Sequence, residues 1–246
     1  MKKVFVTGAN KGIGFGTAKL LLQNGFYVYI GSRNLKNGEA AADQLKAEGL
    51  THVEAVQIDV TDDASVKAAF EEIKKKTEVL DVLINNAGIN GGKDPYTARA
   101  AEPEEFKAAF DTNVVGTARV TNLFIELLRK SSSPRIVNLS TSVGSLTLQS
   151  DPEWPAYSYA KYAVYASSKA ALNMYTVHLA YELRDTNFKV NAVCPGLTAT
   201  DFTGGNGGDV ETAAGRIVKY AMIGEDGPTG KFFSEETNPE TGEVPW

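Results

Sequence analysis

The sequence is poor in the side chains that form disulfides or bind transition metals. Its 246 residues include one cysteine and two histidines. Cys194 has no partner for a disulfide within the chain, which is typical of a protein from a reducing compartment. His52 and His178 have no partner at metal-ligand spacing, and one cysteine does not build a zinc site. We therefore expect no metal.

Long apolar runs and a surplus of basic charge are missing as well. Nowhere do about 18 apolar residues follow one another, and no apolar stretch of signal-peptide length precedes the first strand-like segment. The formal net charge of −5 disfavours a nucleic-acid or anionic-membrane binder, because both need a basic surface. We expect a cytoplasmic protein with neither kind of partner.

Short apolar segments and longer helical patterns alternate along the chain. Segments rich in apolar and β-branched residues predict strands at 4–7, 27–31, 53–58, 79–84, 135–139, 189–194 and 231–233. Helical patterns fill 13–24, 35–48, 64–77, 102–129, 162–184 and 210–220, and Gly25 and Gly49 follow two of them as stop residues. This alternation predicts an α/β fold, a doubly wound parallel sheet of about seven strands with helices on both faces. No linker interrupts it, so residues 1–246 are expected to form a single domain.

A glycine cluster lies where the first predicted strand turns into the first helix. Residues 7–14 read TGANKGIG. Glycines without Cβ let a backbone turn tightly and approach a pyrophosphate, which then lies at the helix N-terminus. The position of the cluster at the first strand–helix junction predicts a dinucleotide site.

With this loop and the motifs after it, the sequence resembles the short-chain dehydrogenase/reductase family, in its carbonyl-reductase-like branch. The motifs stand in the family's order over nearly the whole chain: TGANKGIG at 7–14, Asp59 after the third strand, NNAG at 85–88, Asn113 in the long helix, YASSK at 165–169 and PG at 195–196. The resemblance implies a Rossmann-type fold and an oxidoreductase with a nicotinamide cofactor.

The resemblance also implies which residues contact that cofactor. They are the loop residues Gly8, Asn10, Lys11, Gly12, Ile13 and Gly14, the adenine-side Asp59 and Val60, the ribose-side Asn86, Ala87 and Gly88, and the nicotinamide-side Pro195, Gly196, Thr198 and Thr200. Tyr165 and Lys169 complete the set.

Two basic residues predict the choice of cofactor. An NAD site usually has an acid at the end of the second strand for the ribose 2′-hydroxyl, whereas NADP needs cations for the 2′-phosphate. Here the second strand is followed by Ser32-Arg33-Asn34, and Lys11 adds a cation in the glycine loop. Arginine binds phosphate in a bidentate manner and lysine adds a point charge. We expect NADP(H).

A tyrosine and a lysine four residues apart predict the proton-transfer chemistry. Hydride transfer to a carbonyl leaves an alkoxide that needs a proton. Tyrosine alone titrates near a pKa of ~10, and a lysine one helical turn away favours the tyrosinate and lowers that pKa. Tyr165 is therefore predicted as the general acid/base, with Lys169 lowering its pKa and holding the ribose.

The sequence offers a second pair with the same spacing, Tyr157 and Lys161. The family's usual distance from the catalytic hydroxyl, roughly a dozen residues, suits Tyr157 better. Two observations favour Tyr165 and Lys169: the small residues 170–171 follow the lysine, and the distance to the Pro-Gly motif is the usual one. Residues 148–162 then form an insertion before the active helix, as in monomeric carbonyl reductases of the family, and favour a monomer over a homodimer or tetramer.

A hydroxyl at the end of the fifth strand is expected to bind the substrate oxygen. Counted back from Gly144, the family's second serine falls on Thr141, and Ser142 carries the same donor, so both remain candidates. By resemblance, Asn113 kinks the long helix and anchors a water that leads to the lysine. The Gly-rich residues 203–208 are expected to form a lid.

The predicted function is NADPH-dependent reduction of a small aldehyde or ketone to an alcohol, the reaction of a carbonyl reductase or, in reverse, an alcohol dehydrogenase. Two alternatives stay open: an NAD-linked alcohol or polyol dehydrogenase, and a non-catalytic NADP-binding sensor on the same fold.

Overall fold

Parallel strands form the centre of the protein in this computed structural model, which describes residues 1–93 and 96–246. In chain order the strands are β1 (Lys3–Val6), β2 (Tyr27–Ser32), β3 (Val53–Gln57), β4 (Val82–Asn85), β5 (Arg135–Leu139), β6 (Lys189–Val193) and β7 (Phe232–Phe233). They pair in the order β3-β2-β1-β4-β5-β6-β7, and every pair is parallel. The predicted doubly wound sheet is confirmed.

Helices cover both faces of the sheet. They are α1 (Gly12–Gln23), α2 (Leu35–Ala47), α3 (Asp63–Lys76), α4 (Pro103–Phe110), α5 (Gly116–Leu128), α6 (Leu146–Ser150), α7 (Ala163–Glu182) and α8 (Val210–Ala221). Short 3-10 turns follow β5 at Ser142–Gly144 and β6 at Asp201–Thr203.

Alternate residues of the central strand point into different cores because side chains of a strand alternate between its faces. Val4 and Val6 of β1 pack with α1, α2 and α8, whereas Phe5 packs with α3, α5 and α7. In the second core Phe5 stacks on Phe124 of α5 at 4.8 Å between ring centroids. Helices therefore exclude water from both faces of the sheet, which explains why the strands are apolar on both sides and do not alternate with polar residues.

Local signals set most helix ends where the sequence predicts them. Gly25 and Gly49 adopt positive φ angles of 78° and 86° after α1 and α2, which is the usual conformation after a helix C-terminus. Asp62 caps α3 by accepting a hydrogen bond from the Ala64 backbone at 2.9 Å, and Asp209 caps α8 by accepting one from Thr212 at 2.7 Å.

Two predicted segments differ from the structure by more than a shift of one or two residues at an end. The strand predicted at 79–84 begins at Val82, because the Thr77 hydroxyl donates to the carbonyl of Val79 at 2.8 Å and forms a turn there. The helix predicted over 102–129 is interrupted by a π-helical turn at Asp111–Val115, between α4 and α5. The Thr117 hydroxyl donates to the Asn113 carbonyl at 3.1 Å within that region, and such turns are frequent at functional sites.

Among the residues that the structure describes, no helix is long and apolar enough to cross a membrane.

One helical glycine, Gly116, lets α5 approach the site end of the sheet closely. A Cβ on Gly116 of α5 would lie 2.9 Å from Val60 Cγ2 and 3.0 Å from the Val60 carbonyl. We expect Gly116→Ala to lower the free energy of unfolding by about 1–3 kcal/mol through overpacking. Gly215 of α8 is the matched control: a Cβ there meets no atom of residues 1–93 and 96–246 within 4 Å, so Gly215→Ala should stabilise by about 0.5–1 kcal/mol. Urea unfolding measures both, and equal effects would contradict this account.

Candidate active site

A cavity of about 600 Å³ opens at the carboxyl ends of the strands. It lies where the strand order reverses between β1 and β4, the usual ligand crevice of an open α/β sheet. The glycine loop contributes one end and α7 the other. Its polar lining residues include Asn10, Lys11, Arg33, Asp59, Thr61, Asn86, Thr112, Ser140, Tyr165, Lys169, Thr200 and Asp201.

The glycine loop leaves the space that a bound phosphate requires. Gly8 and Gly12 have positive φ angles of 64° and 58°, which residues with a side chain rarely adopt. A Cβ on Gly14 would lie 2.6 Å from the Gly8 carbonyl and 2.5 Å from Asn86 Nδ2. The first turn of α1 starts at Gly12, and the backbone N–H groups of a first turn have no partner within the helix. The loop therefore has the conformation and the donors of an anion site.

Asn86 fixes this loop from the neighbouring strand. Its side-chain amide donates to the carbonyls of Thr7 and Gly8, at 2.8 Å each. In return, the Thr7 hydroxyl accepts hydrogen bonds from the backbone of Asn86 and Ala87 at 3.0 Å. The sequence motif assigned Asn86 to the ribose side, and the structure adds that it holds the loop in shape.

Charged groups surround the end of the cavity next to β2 and β3. Asp59 accepts hydrogen bonds from the Thr61 backbone at 3.0 Å and the Thr61 hydroxyl at 2.7 Å. Burial alone would raise the pKa of Asp59, but these hydrogen bonds and the nearby Arg33 and Arg119 hold it below its ordinary value. The carboxylate therefore stays ionised beside the Arg33 guanidinium.

Lys11 reaches across the mouth of the cavity. Its ammonium is 2.7 Å from a carboxylate oxygen of Asp201, in the 3-10 turn after β6. Beneath this pair, a Cβ on Gly12 would lie 3.4 Å from the Thr200 methyl group. The sequence showed the lysine but not its acidic partner, which is 190 positions away.

Tyr165 and Lys169 lie together at the other end of the cavity, one turn apart on α7. The Lys169 side chain is 4% exposed, and its ammonium donates to the Leu139 carbonyl at the end of β5, at 2.7 Å. The ammonium is 5.7 Å from the Tyr165 ring centroid. The Phe202 ring packs against Tyr165 at 5.5 Å between centroids.

The pKa of Tyr165 is shifted in the direction opposite to the prediction. Burial raises the pKa of Tyr165 above its ordinary value, and burial lowers the pKa of Lys169 to about 8. Both shifts follow from desolvation, which disfavours the charged form of each group. The lysine charge favours the tyrosinate, but the loss of water around Tyr165 has the larger effect on its pKa.

Asn113 connects the π-helical turn to α7. It is fully buried; its side chain exchanges two hydrogen bonds of 2.9 Å with the Ile89 backbone and donates to the Ser168 hydroxyl at 2.9 Å. A Cβ on Gly88 would lie 3.1 Å from Asn113 Oδ1 and 3.6 Å from Lys169 Nζ. The glycine thus permits both side chains to lie close to the backbone at residue 88.

Three hydroxyls follow β5, and they have different environments. Ser140 lines the cavity, but its hydroxyl donates to Asn173 Oδ1 at 2.6 Å. The Thr141 hydroxyl accepts a hydrogen bond of 3.4 Å from the Val143 backbone, and acceptance leaves its own proton available. Ser142 is 8% exposed. Ser140 is adjacent to the predicted hydroxyls but is not among them, and only the structure shows its link to α7.

The Pro-Gly turn after β6 is braced by two residues that the sequence analysis missed. Arg216 of α8 donates to the Pro195 carbonyl at 2.7 Å. A Cβ on Gly196, which has a φ of 88°, would lie 2.9 Å from a carboxylate oxygen of Glu236. The backbone of Leu197 donates to both oxygens of that carboxylate, at 3.2 and 3.1 Å. No motif in the sequence indicates these contacts, because both partners come from later segments of the chain.

Tyr157 and Lys161 are not in the described lining of the cavity. They make contacts within the insertion instead. The Lys161 ammonium lies 3.8 Å from the Tyr157 ring centroid and donates to the carbonyl and the side-chain oxygen of Gln149. The Gln149 amide in turn donates to the carbonyls of Val143 and Ala160, at 3.1 and 2.7 Å. This network closes the insertion on itself between β5 and α7.

Most of the predicted cofactor residues meet in the one cavity. Those in its described lining are Gly8, Asn10, Lys11, Gly12, Ile13, Gly14, Arg33, Asp59, Val60, Asn86, Ala87, Gly88, Tyr165, Lys169, Pro195 and Thr200. The predicted residues outside that lining are Asn113, Thr141, Ser142, Gly196 and Thr198. Thr198 instead faces the Gly-rich segment, where it forms a bridge with Gly208.

A doubly wound sheet with a glycine loop at its central strand–helix turn is the architecture of dinucleotide-binding enzymes. The chain belongs to the short-chain dehydrogenase family, whose model matches residues 2–210. The resemblance seen in its motifs is confirmed. It is an oxidoreductase of a family that uses nicotinamide cofactors.

Relatives and solved structures agree with this membership. A short-chain dehydrogenase of Penicillium roqueforti, anuI, is 37% identical over 95% of this chain and 94% of its own length. The structure of salutaridine reductase from Papaver somniferum matches with a TM-score of 0.83 and 30% identity, over 95% of this chain and 100% of that one. An NADPH-bound carbonyl reductase from chicken fatty liver matches with a TM-score of 0.85 and 28% identity, over 100% and 99% of the two chains.

The lowered pKa of Lys169 makes stability depend on pH in a defined direction. Between the folded value of about 8 and the ordinary value of about 10.4, the unfolded chain binds the proton and the folded one does not, so this group adds stability as the pH rises. Between pH 7 and pH 9 the free energy of unfolding of the wild type should rise relative to Lys169→Met by about 1 kcal/mol. Urea unfolding of both proteins at the two pH values measures this, and a constant difference would refute it.

Proposed function

We propose that the chain is an NADPH-dependent reductase of aldehydes or ketones, with Tyr165 as the general acid. One observation carries the proposal: a single cavity joins the cations Lys11 and Arg33 at one end to Tyr165 and Lys169 at the other. A dinucleotide with a 2′-phosphate needs cations at its adenosine end and proton transfer at its nicotinamide end.

The residues present fit this cofactor. Gly8, Gly12 and Gly14 leave the space in which a pyrophosphate meets the start of α1, and Lys11 and Arg33 supply positive charge for the 2′-phosphate. NADPH, when bound, supplies the hydride. Asp59 and Val60 are proposed to contact the adenine, Ala87 and Gly88 the ribose, and Thr200 the nicotinamide amide.

The protonation state of Tyr165 suits the direction of reduction. Burial raises its pKa, so the phenol keeps the proton that it must give to the substrate oxygen. Lys169 lies one turn away, and its ammonium is positioned by the Leu139 carbonyl. In this proposal its charge offsets part of the desolvation once the phenol begins to lose its proton, and it also binds the ribose hydroxyls.

Thr141 is the proposed donor to the substrate oxygen. The Ser140 proton is already donated to Asn173, and Ser142 is largely buried. The Thr141 hydroxyl accepts from the Val143 backbone and keeps its proton for another acceptor. A donor aimed at the developing alkoxide is typically worth a factor of about 10²–10³ in kcat.

The pairing of Lys11 with Asp201 favours one second candidate, an NAD-linked alcohol dehydrogenase, because a neutralised lysine attracts a 2′-phosphate less. The two candidates differ in kcat/KM for NADPH and NADH, measured with a panel of aldehydes, diketones and cyclic ketones at the absorbance of the reduced cofactor. We expect NADPH to be preferred. A clear preference for NADH would refute the assignment of Lys11 and Arg33.

Replacing the proposed general acid should stop the chemical step. For Tyr165→Phe we expect kcat to fall by a factor of about 10²–10⁴, since the proton donor is lost, while NADPH still binds in a fluorescence titration. Tyr157→Phe is the matched control, with the same atom removed from the pair in the insertion, and it should stay within about twofold of the wild type. The reverse result would assign catalysis to Tyr157.

The three hydroxyls after β5 can be separated by single substitutions. Thr141→Val keeps the shape of the side chain and removes its donor, so kcat should fall about 10²-fold or more. Ser142→Ala should have the smaller effect. Ser140→Ala removes a hydrogen bond to Asn173 and should lower the melting temperature more than kcat. A larger loss of kcat in Ser142→Ala than in Thr141→Val would give the role to Ser142.

A further inference from the structure

We propose that Asp201 sets how strongly the protein discriminates between phosphorylated and unphosphorylated adenosine ribose, by neutralising Lys11. The inference rests on the proposed function, because it assigns a role to the counter-ion of a cation that the proposed cofactor uses. It concerns a residue that no motif indicates.

The observation is an ion pair across the mouth of the cavity. The Lys11 ammonium and the Asp201 carboxylate are 2.7 Å apart, with side chains 68% and 80% exposed. The contact lowers the pKa of Asp201, chiefly through the hydrogen bond from Lys11, so the carboxylate is charged throughout the neutral range. Both side chains line the same cavity as Arg33. A ligand phosphate therefore meets a lysine that is paired with Asp201 and the guanidinium of Arg33, which has the ionised Asp59 nearby.

Charge alone gives the sign of the effect. If the phosphate takes Lys11 from Asp201, binding must first break an ion pair. If Lys11 keeps Asp201 and binds the phosphate as well, the carboxylate and the phosphate share one ammonium and repel each other. In both cases the carboxylate opposes the 2′-phosphate, and it has no such effect on a ribose with a free 2′-hydroxyl.

Exposure sets the size of the effect. Exposed ion pairs contribute roughly 0.2–1 kcal/mol because water screens them and long side chains lose entropy. Removing the charge of Asp201 should therefore strengthen the binding of a 2′-phosphate about two- to fivefold.

A substitution at Asp201 can change the geometry of its turn as well as its charge, so the experiment needs a control that separates the two effects. Thr200 contacts Gly12, and Phe202 packs on Tyr165, so a change at Asp201 could also move the nicotinamide end. Two adenosine fragments remove this ambiguity, because neither carries a nicotinamide: 2′,5′-ADP has the phosphate and 5′-AMP lacks it.

The test is a double-mutant cycle on the full chain. Dissociation constants of 2′,5′-ADP, 5′-AMP, NADPH and NADH are measured by calorimetry for the wild type, Asp201→Asn, Lys11→Gln and the double variant. Asp185→Asn is the matched control, because it makes the same charge change in the exposed ion pair of Asp185 with Arg184. This pair lies between α7 and β6, at the amino ends of the strands and away from the cavity.

We expect Asp201→Asn to tighten 2′,5′-ADP and NADPH about two- to fivefold and to leave 5′-AMP and NADH unchanged. The gain should disappear in the Lys11→Gln background and be absent in Asp185→Asn. Equal changes for all four ligands, a weakening of 2′,5′-ADP, or the same gain without Lys11 would overturn the inference alone. A wild type that binds 5′-AMP as tightly as 2′,5′-ADP would overturn the proposed cofactor, and the inference with it.

Discussion

The candidate site depends on the close contact between α7 and the end of β5. Gly144 makes the contact possible, because a Cβ there would lie 2.9 Å from Lys169 Cβ and 3.0 Å from its backbone carbon. Two hydrogen bonds then fix the register: Asn173 donates to the Gly144 carbonyl at 3.2 Å, and Lys169 donates to that of Leu139 at 2.7 Å. Ser140 after β5 and Tyr165 of α7 come from segments separated by an insertion, and this contact brings them to one cavity.

The same contact explains the electrostatics of the site. Packing α7 against the strand removes water from Lys169, and this loss of water lowers the pKa of the lysine to about 8. Tyr165 also loses water, which raises its pKa. A buried charge without a hydrogen-bond partner is costly. The Leu139 carbonyl reduces this cost for Lys169 because it accepts a hydrogen bond from the ammonium. Burial therefore moves the two pKa values apart, because it disfavours the charged form of each group: Tyr165 keeps its proton more firmly and Lys169 loses its proton more easily.

The sequence predicts the fold and the location of the site well, because both follow from local patterns. Strand–helix alternation gives a parallel sheet, and residues after the strands must then meet at one edge, which is where Gly12, Asp59, Asn86 and Pro195 lie. The contacts that hold the site are less predictable. Arg216, Glu236 and Asp201 reach it from late segments, and only the folded chain shows which backbone groups they approach. The family resemblance implies the interruption of the long helix at Asn113, but not the contact of Asn113 with Ile89.

The central position of β1 has a consequence for how the chain folds during synthesis. Of its two edges, one pairs with β2, which follows directly, and the other pairs with β4, with Val6 opposite Ile84. About 80 residues must be made before that edge is covered, roughly 4–16 s at bacterial or eukaryotic elongation rates of about 5–20 residues per second. Through that interval an apolar strand edge is open to other chains, since an unpaired edge is a template for aggregation. Until β4 is made, the nascent chain therefore exposes a strand edge that the folded protein covers.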